Sequence, residues 1–207
     1  MTSILFLGDS ITDCGHCFDP SGLGSGYVSV LAQNPALARY SLINRGQDGF
    51  TIRDVRRLLR LFPIPEDCSF VSLLAGVNDA ALHLSGNPHH ISGNFRREFH
   101  GALSDIRRQH RGALLVMEPF LFSSPCELIG WQPVMRQISA VIREACAVYG
   151  AQFLPLMEVF RSAEKERGTA ALSIDGIHLT EEGNRLLARQ WITAAPLLSP
   201  PGASGGS

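Results

Sequence analysis

The sequence predicts one α/β domain, a three-layer α/β/α sandwich with helices on both faces of a central five-stranded parallel sheet. Two observations carry that prediction. Five short runs are apolar along their length rather than at alternate positions, as expected of strands covered on both faces. The stretches between them repeat apolar residues at helical spacing, and strand–helix alternation repeated in this way gives a parallel sheet.

Ile4 to Leu7 is the first strand, and Gly8-Asp9-Ser10-Ile11-Thr12 follows with Ser10 where a helix should begin. Phe18 to Gly26 is then irregular and rich in Gly and Ser. Ser41 to Ile43 is the second strand. It leads through Asn44-Arg45-Gly46-Gln47-Asp48-Gly49 to a helical stripe of Ile52, Val55, Leu58, Leu59 and Phe62. Phe70 to Leu74 is the third strand, followed by Gly76-Val77-Asn78-Asp79; Phe95, Phe99, Leu103 and Ile106 form the next stripe, with arginines on its far side. Leu114 to Met117 is the fourth strand. After the irregular stretch Phe122 to Pro133 come a stripe of Val134, Ile138, Val141, Ile142, Ala145 and Tyr149 and the fifth strand, Gln152 to Leu154. Leu187, Trp191 and Ala194 belong to a C-terminal helix that Thr180 should cap, with Glu181 and Glu182 at its positive end. Residues 1–198 are expected to form the domain. Ser199 to Ser207 has too little apolar surface to offset its ordering entropy and is expected to be a disordered tail.

With 207 residues, 45% of them hydrophobic, and a formal charge of -1, the chain can bury a real core and is neither fibrous nor disordered. The near-neutral balance gives no general attraction to nucleic acid. The 18 basic residues are all arginine except Lys165, and the pairs Arg56-Arg57, Arg96-Arg97 and Arg107-Arg108 read as solvated helix faces. Met1-Thr2-Ser3 enters the first strand without a basic region or a long apolar segment, which argues against a signal peptide and a membrane span. Five cysteines cannot all pair within the chain, so a reducing compartment, by default the cytoplasm, is expected. An exposed helix face could build a homo-oligomer, although no stripe is apolar enough to demand one.

Ser10, Asp175 and His178 together supply a nucleophile, a base and a group to orient the base. Alone, Ser10 reads as a helix N-cap and Asp-x-x-His as a surface turn. The two remaining segments tip the balance. Asn44 to Thr51 and Gly76 to Asp79 each follow a strand and therefore reach the same sheet edge as Ser10, the edge where open α/β sheets bind ligands. There the Ser10 N–H, an unobstructed Gly46 N–H and the Asn78 amide can serve as three donors to a developing oxyanion.

Four such segments in this order identify the chain as similar to the SGNH (GDSL-type) hydrolase superfamily, from residue 4 to about 190. Ile4 to Gly15, then Gly24-Ser25-Gly26-Tyr27-Val28, resembles bacterial carbohydrate acetyl esterases, notably intracellular acetylxylan esterases. The resemblance implies a flavodoxin-like sandwich, a catalytic Ser10-His178-Asp175 triad, an oxyanion hole of Ser10, Gly46 and Asn78, and no metal or other cofactor. The implied reaction removes acetyl groups from sugar hydroxyls, with a small-molecule or oligosaccharide ester as substrate. Two positions depart from the superfamily pattern. Asp48 stands where relatives often carry a small neutral residue and is expected to point away, capping the helix at Thr51. Leu179 replaces a frequent proline after the histidine and is expected to leave that loop less rigid.

Cys14-Gly15-His16-Cys17 has dithiol spacing, but it lies inside the Ser10 segment and outside a thioredoxin-like element order. No second Cys/His pair completes a zinc site with it, and His89-His90 reads as a polar loop. For substrate, Asp9, Tyr27 and Trp131 are candidate contacts, with Phe18 and Phe122 as further apolar walls for a sugar ring. A narrow pocket would select acetyl; an open apolar groove would instead suit a lysophospholipase- or thioesterase-like enzyme. A catalytically silent binder of acylated carbohydrate is the reading from another class.

Overall fold

The computed structural model describes residues 2–86 and 89–195; the Ser199–Ser207 tail lies outside the described residues. The strands are β1 (Ser3–Gly8), β2 (Ser41–Gly46), β3 (Cys68–Leu74), β4 (Ala113–Met117) and β5 (Gln152–Leu154). They form one parallel sheet in the order β2-β1-β3-β4-β5. All five expected runs are strands. Burial on both faces holds for the central β1, β3 and β4 but not for β2 and β5, which are the sheet edges and leave Ser41 and Gln152 exposed.

The helices are α1 (Ser10–Asp13), α2 (Tyr27–Ala32), α3 (Ile52–Leu61), α4 (Val77–Leu84), α5 (Arg96–Gln109), α6 (Gln132–Tyr149), α7 (Met157–Arg167), α8 (Thr169–Leu172) and α9 (Glu181–Ala194). Successive β1 side chains point to opposite faces. Leu5 and Leu7 therefore join one core layer with Val55 of α3, Phe99 of α5 and Ile138 of α6, whereas Ile4 and Phe6 join the other with Tyr27 of α2, Phe160 of α7 and Leu187 of α9. Phe62 falls outside the stripe expected of it: the chain turns extended there, and the ring is 56% exposed. His90–Phe95 is a π-helical turn rather than a loop.

Chain direction across the sheet reverses at β1, since the connection from β1 leads to one neighbour and that from β2 to the other. Such a switch point opens a crevice at the carboxyl ends of the strands. Gly8 is level with Gly46 on one side and Leu74 on the other, so the segments after β1, β2 and β3 emerge together. At the far end of the chain, Trp191 anchors α9: its ring is fully buried against Phe6 and Phe70, and Nε1 donates to Ser72 Oγ at 2.9 Å. That anchor holds α9, which begins three residues after His178, against the sheet.

Candidate active site

Ser10 is the first residue of α1. Asp9 is the N-cap, its Oδ1 accepting from the Ile11 N–H at 3.1 Å. The capping role open to Ser10 thus belongs to its neighbour, and the Ser10 hydroxyl is left to face the crevice. Its Oγ lies 3.0 Å from His178 Nε2, and His178 Nδ1 lies 2.6 Å from Asp175 Oδ2. Asp175 Oδ1 accepts from the backbone N–H groups of Ile177 (2.9 Å) and His178 (2.8 Å), which sets the carboxylate before the imidazole reaches it. Burial pushes the Asp175 carboxyl up, but these hydrogen bonds from the His178 ring and the two amides outweigh it and hold the carboxyl below its ordinary value.

The turn carrying Asp175 and His178 is tied down in spite of Leu179. Ser173 and Leu179 form an antiparallel bridge, and the His178 carbonyl accepts from Ser173 Oγ at 2.8 Å and Ile174 N–H at 2.9 Å. Gly176 has φ +91°, and a side chain there would meet Ser124 O at 2.4 Å, so only glycine lets the turn pack beneath the loop after β4. Thr180 caps α9 as expected, accepting from Gly183 N–H at 3.2 Å.

The three expected oxyanion donors do not stand alike. The Ser10 N–H, at the first helical position, has no intrahelical acceptor. Asn78, in the first turn of α4, donates one N–H to Phe50 O at 3.0 Å and keeps a second. The Gly46 N–H is not unobstructed: it donates to Asn44 Oδ1 at 2.9 Å. Asn44 is in turn fixed, its Nδ2 donating to Thr12 O at 2.7 Å and Leu23 O at 2.9 Å. A side chain on Gly46 would meet Asp13 N at 2.4 Å, so the β2 turn lies directly on α1. Asp13 completes the tie, with Oδ1 on His16 and Oδ2 accepting from the Asp48 N–H at 2.9 Å. Asn44 and Asp13 hold the turn after β2 to α1, and the sequence reading missed both; Asn44 stands in the same motif as Gly46. Asp48 is exposed, and the carboxylates at the α3 N-terminus are Asp54, whose Oδ2 accepts from Thr51 N–H at 3.1 Å and Thr51 Oγ1 at 2.5 Å, and Asp79, whose Oδ2 accepts from Ile52 N–H at 3.0 Å.

Burial withdraws Asp9, Tyr27 and Phe122 from the candidate substrate contacts. Asp9 is 1% exposed: Oδ1 caps α1, and Oδ2 is buried with no hydrogen-bond partner. Burial pushes its carboxyl up to about 7, with Asp79 adding in the same direction and His178 and the Ile11 amide opposing. Tyr27 is fully buried, edge-on to Phe6, its hydroxyl 3.3 Å from Thr12 Oγ1. Phe122 is fully buried against Phe120 and Phe160. Trp131, partly buried, packs on the α5–α6 core layer. None of these four lines the cavity at Ser10, which has a volume of about 320 Å³ and includes Ile11, Ser25, Ile174, Leu179 and Asn184 in its wall. Phe18 is exposed but is not part of that wall either.

Cys14 is a left-handed residue (φ 41°) packed on Gly26, its thiol pushed up to about 11 by burial, the opposite of a thiolate nucleophile. All five cysteines are free. Among the described residues no group of three or more His, Cys, Asp or Glu could hold a metal ion, and no helix is long and apolar enough to cross a membrane.

Comparison with known proteins matches this geometry to a family. A model of the GDSL-like lipase/acylhydrolase family matches residues 6–186. The chain is 27% identical over 204 residues to the acetylxylan esterase of Geobacillus stearothermophilus, covering 91% of each chain. Among solved structures, a GDSL-like lipase candidate from Parabacteroides merdae superposes with a TM-score of 0.84 at 25% identity, covering 95% of this chain and 96% of that one. The G. stearothermophilus esterase superposes at 0.78 and 23% identity, covering 93% of each, and shares the flanked five-stranded sheet.

Proposed function

The chain belongs to the GDSL-like lipase/acylhydrolase family and is a carboxylic ester hydrolase, and we propose that it removes acetyl groups from carbohydrate hydroxyls through Ser10, His178 and Asp175. The observation that carries this reading is the unbroken chain of contacts at 3.0 Å and 2.6 Å from Ser10 through His178 to Asp175. Asp175 holds the proton on Nδ1, leaving Nε2 free to accept one. His178 takes the proton of Ser10 as Oγ attacks the ester carbonyl. The oxyanion is received by the Ser10 N–H and the spare Asn78 N–H, with the Gly46 N–H shared between it and Asn44. His178 then protonates the departing sugar hydroxyl, and water, deprotonated by the same nitrogen, releases acetate from Ser10. No step calls for a metal or cofactor.

The relative whose name gives acetylxylan as its substrate makes acetylated xylo-oligosaccharides the natural substrate class. Residues 1–198 would form the catalytic unit, in a reducing compartment that suits five free cysteines. The test is kcat/KM for p-nitrophenyl acetate against p-nitrophenyl octanoate, on wild type and Ser10→Ala. Preference for acetate, abolished by the substitution, is the expected result. Preference for octanoate would replace the carbohydrate reading with a lipid or thioester one, and equal activity in both proteins would remove Ser10 from catalysis.

A further inference from the structure

We propose that the groove beside Asn78 binds a negatively charged group on the alcohol part of the ester, a carboxylate- or phosphate-bearing sugar, through Arg53 and Arg57. This rests on the esterase reading above and names the class of substrate within it.

The groove, about 1230 Å³ in volume, runs from Gly49 and Asn78 along α3 past Arg53 and Arg57, with Leu82 and Ser85 of α4 also in its wall. Asn78 is therefore common to the oxyanion site and to this groove. Four arginines and two acids line it, but most of that charge is already committed. Arg56 donates to Asp105 at 2.8 Å and to Glu98 at 3.0 Å, and Arg60 lies 3.8 Å from Asp105. Asp54 is held by Thr51 at the start of α3. Arg53 and Arg57 remain: both are exposed, and neither has an ion pair or hydrogen bond among the described residues.

Their spacing makes that unusual. Residues four apart share one helix face, so two like charges leave the same side of α3 with no ion pair to either, an arrangement that costs the helix stability. An oxyanion with two or three oxygens supplies what the pair lacks, because each planar fork can bind it in two places. A saccharide whose ester carbonyl sits at Asn78 would lay a neighbouring part of the molecule in the groove that Asn78 shares with both arginines.

The experiment compares kcat/KM on acetylated methyl glucoside, acetylated methyl glucuronoside and acetylated glucose 6-phosphate, for wild type and an Arg53→Gln/Arg57→Gln variant. At low salt the wild type should favour an anionic ester over the neutral one by roughly tenfold, the size expected of two exposed ion pairs. That advantage should shrink with added salt and vanish in the variant, while kcat/KM on the neutral ester stays unchanged. The arm that shows it tells uronate from phosphate. No preference in wild type, or the same preference in the variant, would overturn the proposal. Failure of wild type on all three esters would instead strike the esterase reading. Titration of methyl glucuronoside and glucose 6-phosphate by calorimetry then tests the groove alone: binding lost in the variant supports it, and absent or undiminished binding overturns it.

Discussion

Replacing Asp9 with Asn should remove a pH-dependent cost that the wild-type fold carries next to Ser10. Asp9 is 1% exposed, its Oδ2 has no partner, and its carboxyl is raised from 3.8 to about 7. A carboxyl raised in this way binds protons more tightly in the folded than in the unfolded chain. Its destabilising effect is therefore absent below the unfolded pKa, grows as the pH rises from about 4, and levels off above about 7. The raised value corresponds to about 4 kcal/mol at pH 8, of which roughly 3 kcal/mol develops between pH 5 and pH 8. Asn caps a helix as well as Asp does, so Asp9→Asn keeps the bond to Ile11 and loses only the charge. Thermal denaturation of both proteins from pH 5 to pH 8 reads the difference. The variant should gain on wild type across that range by roughly 6–12 °C in Tm. Curves that stay parallel would refute the reasoning, because Asp9 would then not change ionisation in this window.

Asn78→Ala should lower kcat by roughly 10²–10³ with the acetate ester while Tm moves little, the cost of one oxyanion donor being about 3–4 kcal/mol; unchanged kcat would remove Asn78 from the oxyanion site. Iodoacetamide at pH 8 should label exposed Cys17 and spare Cys14, whose thiol is pushed up to about 11. Peptide mapping that finds Cys14 labelled as fast as Cys17 would contradict its partial burial against Gly26 and its raised thiol.

The parts of the fold that could be read from sequence are those set by local periodicity. Compact apolar runs located β1 to β5, and the 3.6-residue stripes located α3, α5, α6 and α9, because each pattern reflects the burial of one element. The candidate site was legible for a related reason: Ser10 and Asn78 each follow an apolar strand and Asp175/His178 precede a capped helix, so their place at one edge of the sheet follows from the order of the elements. Errors arose where one residue of offset or one side-chain direction decides the outcome. Asp54 rather than Asp48 supports Thr51. Tyr27 and Phe122 turn inward, since an aromatic ring in an irregular stretch carries no period to say which way it faces. The bonds from Asn44 to Thr12 and from Asp48 to Asp13 join segments more than thirty residues apart and have no local signature.

The most direct test of the central claim is covalent labelling by a p-nitrophenyl alkylphosphonate, followed by mass spectrometry of the intact protein and its peptides. A tetrahedral phosphonate needs an activated serine and an oxyanion site to react. One adduct should form, on the peptide containing Ser10, with none in Ser10→Ala and slow formation in His178→Ala. An adduct elsewhere, or equal labelling of all three proteins, would contradict the assignment of Ser10 as the nucleophile and His178 as its base.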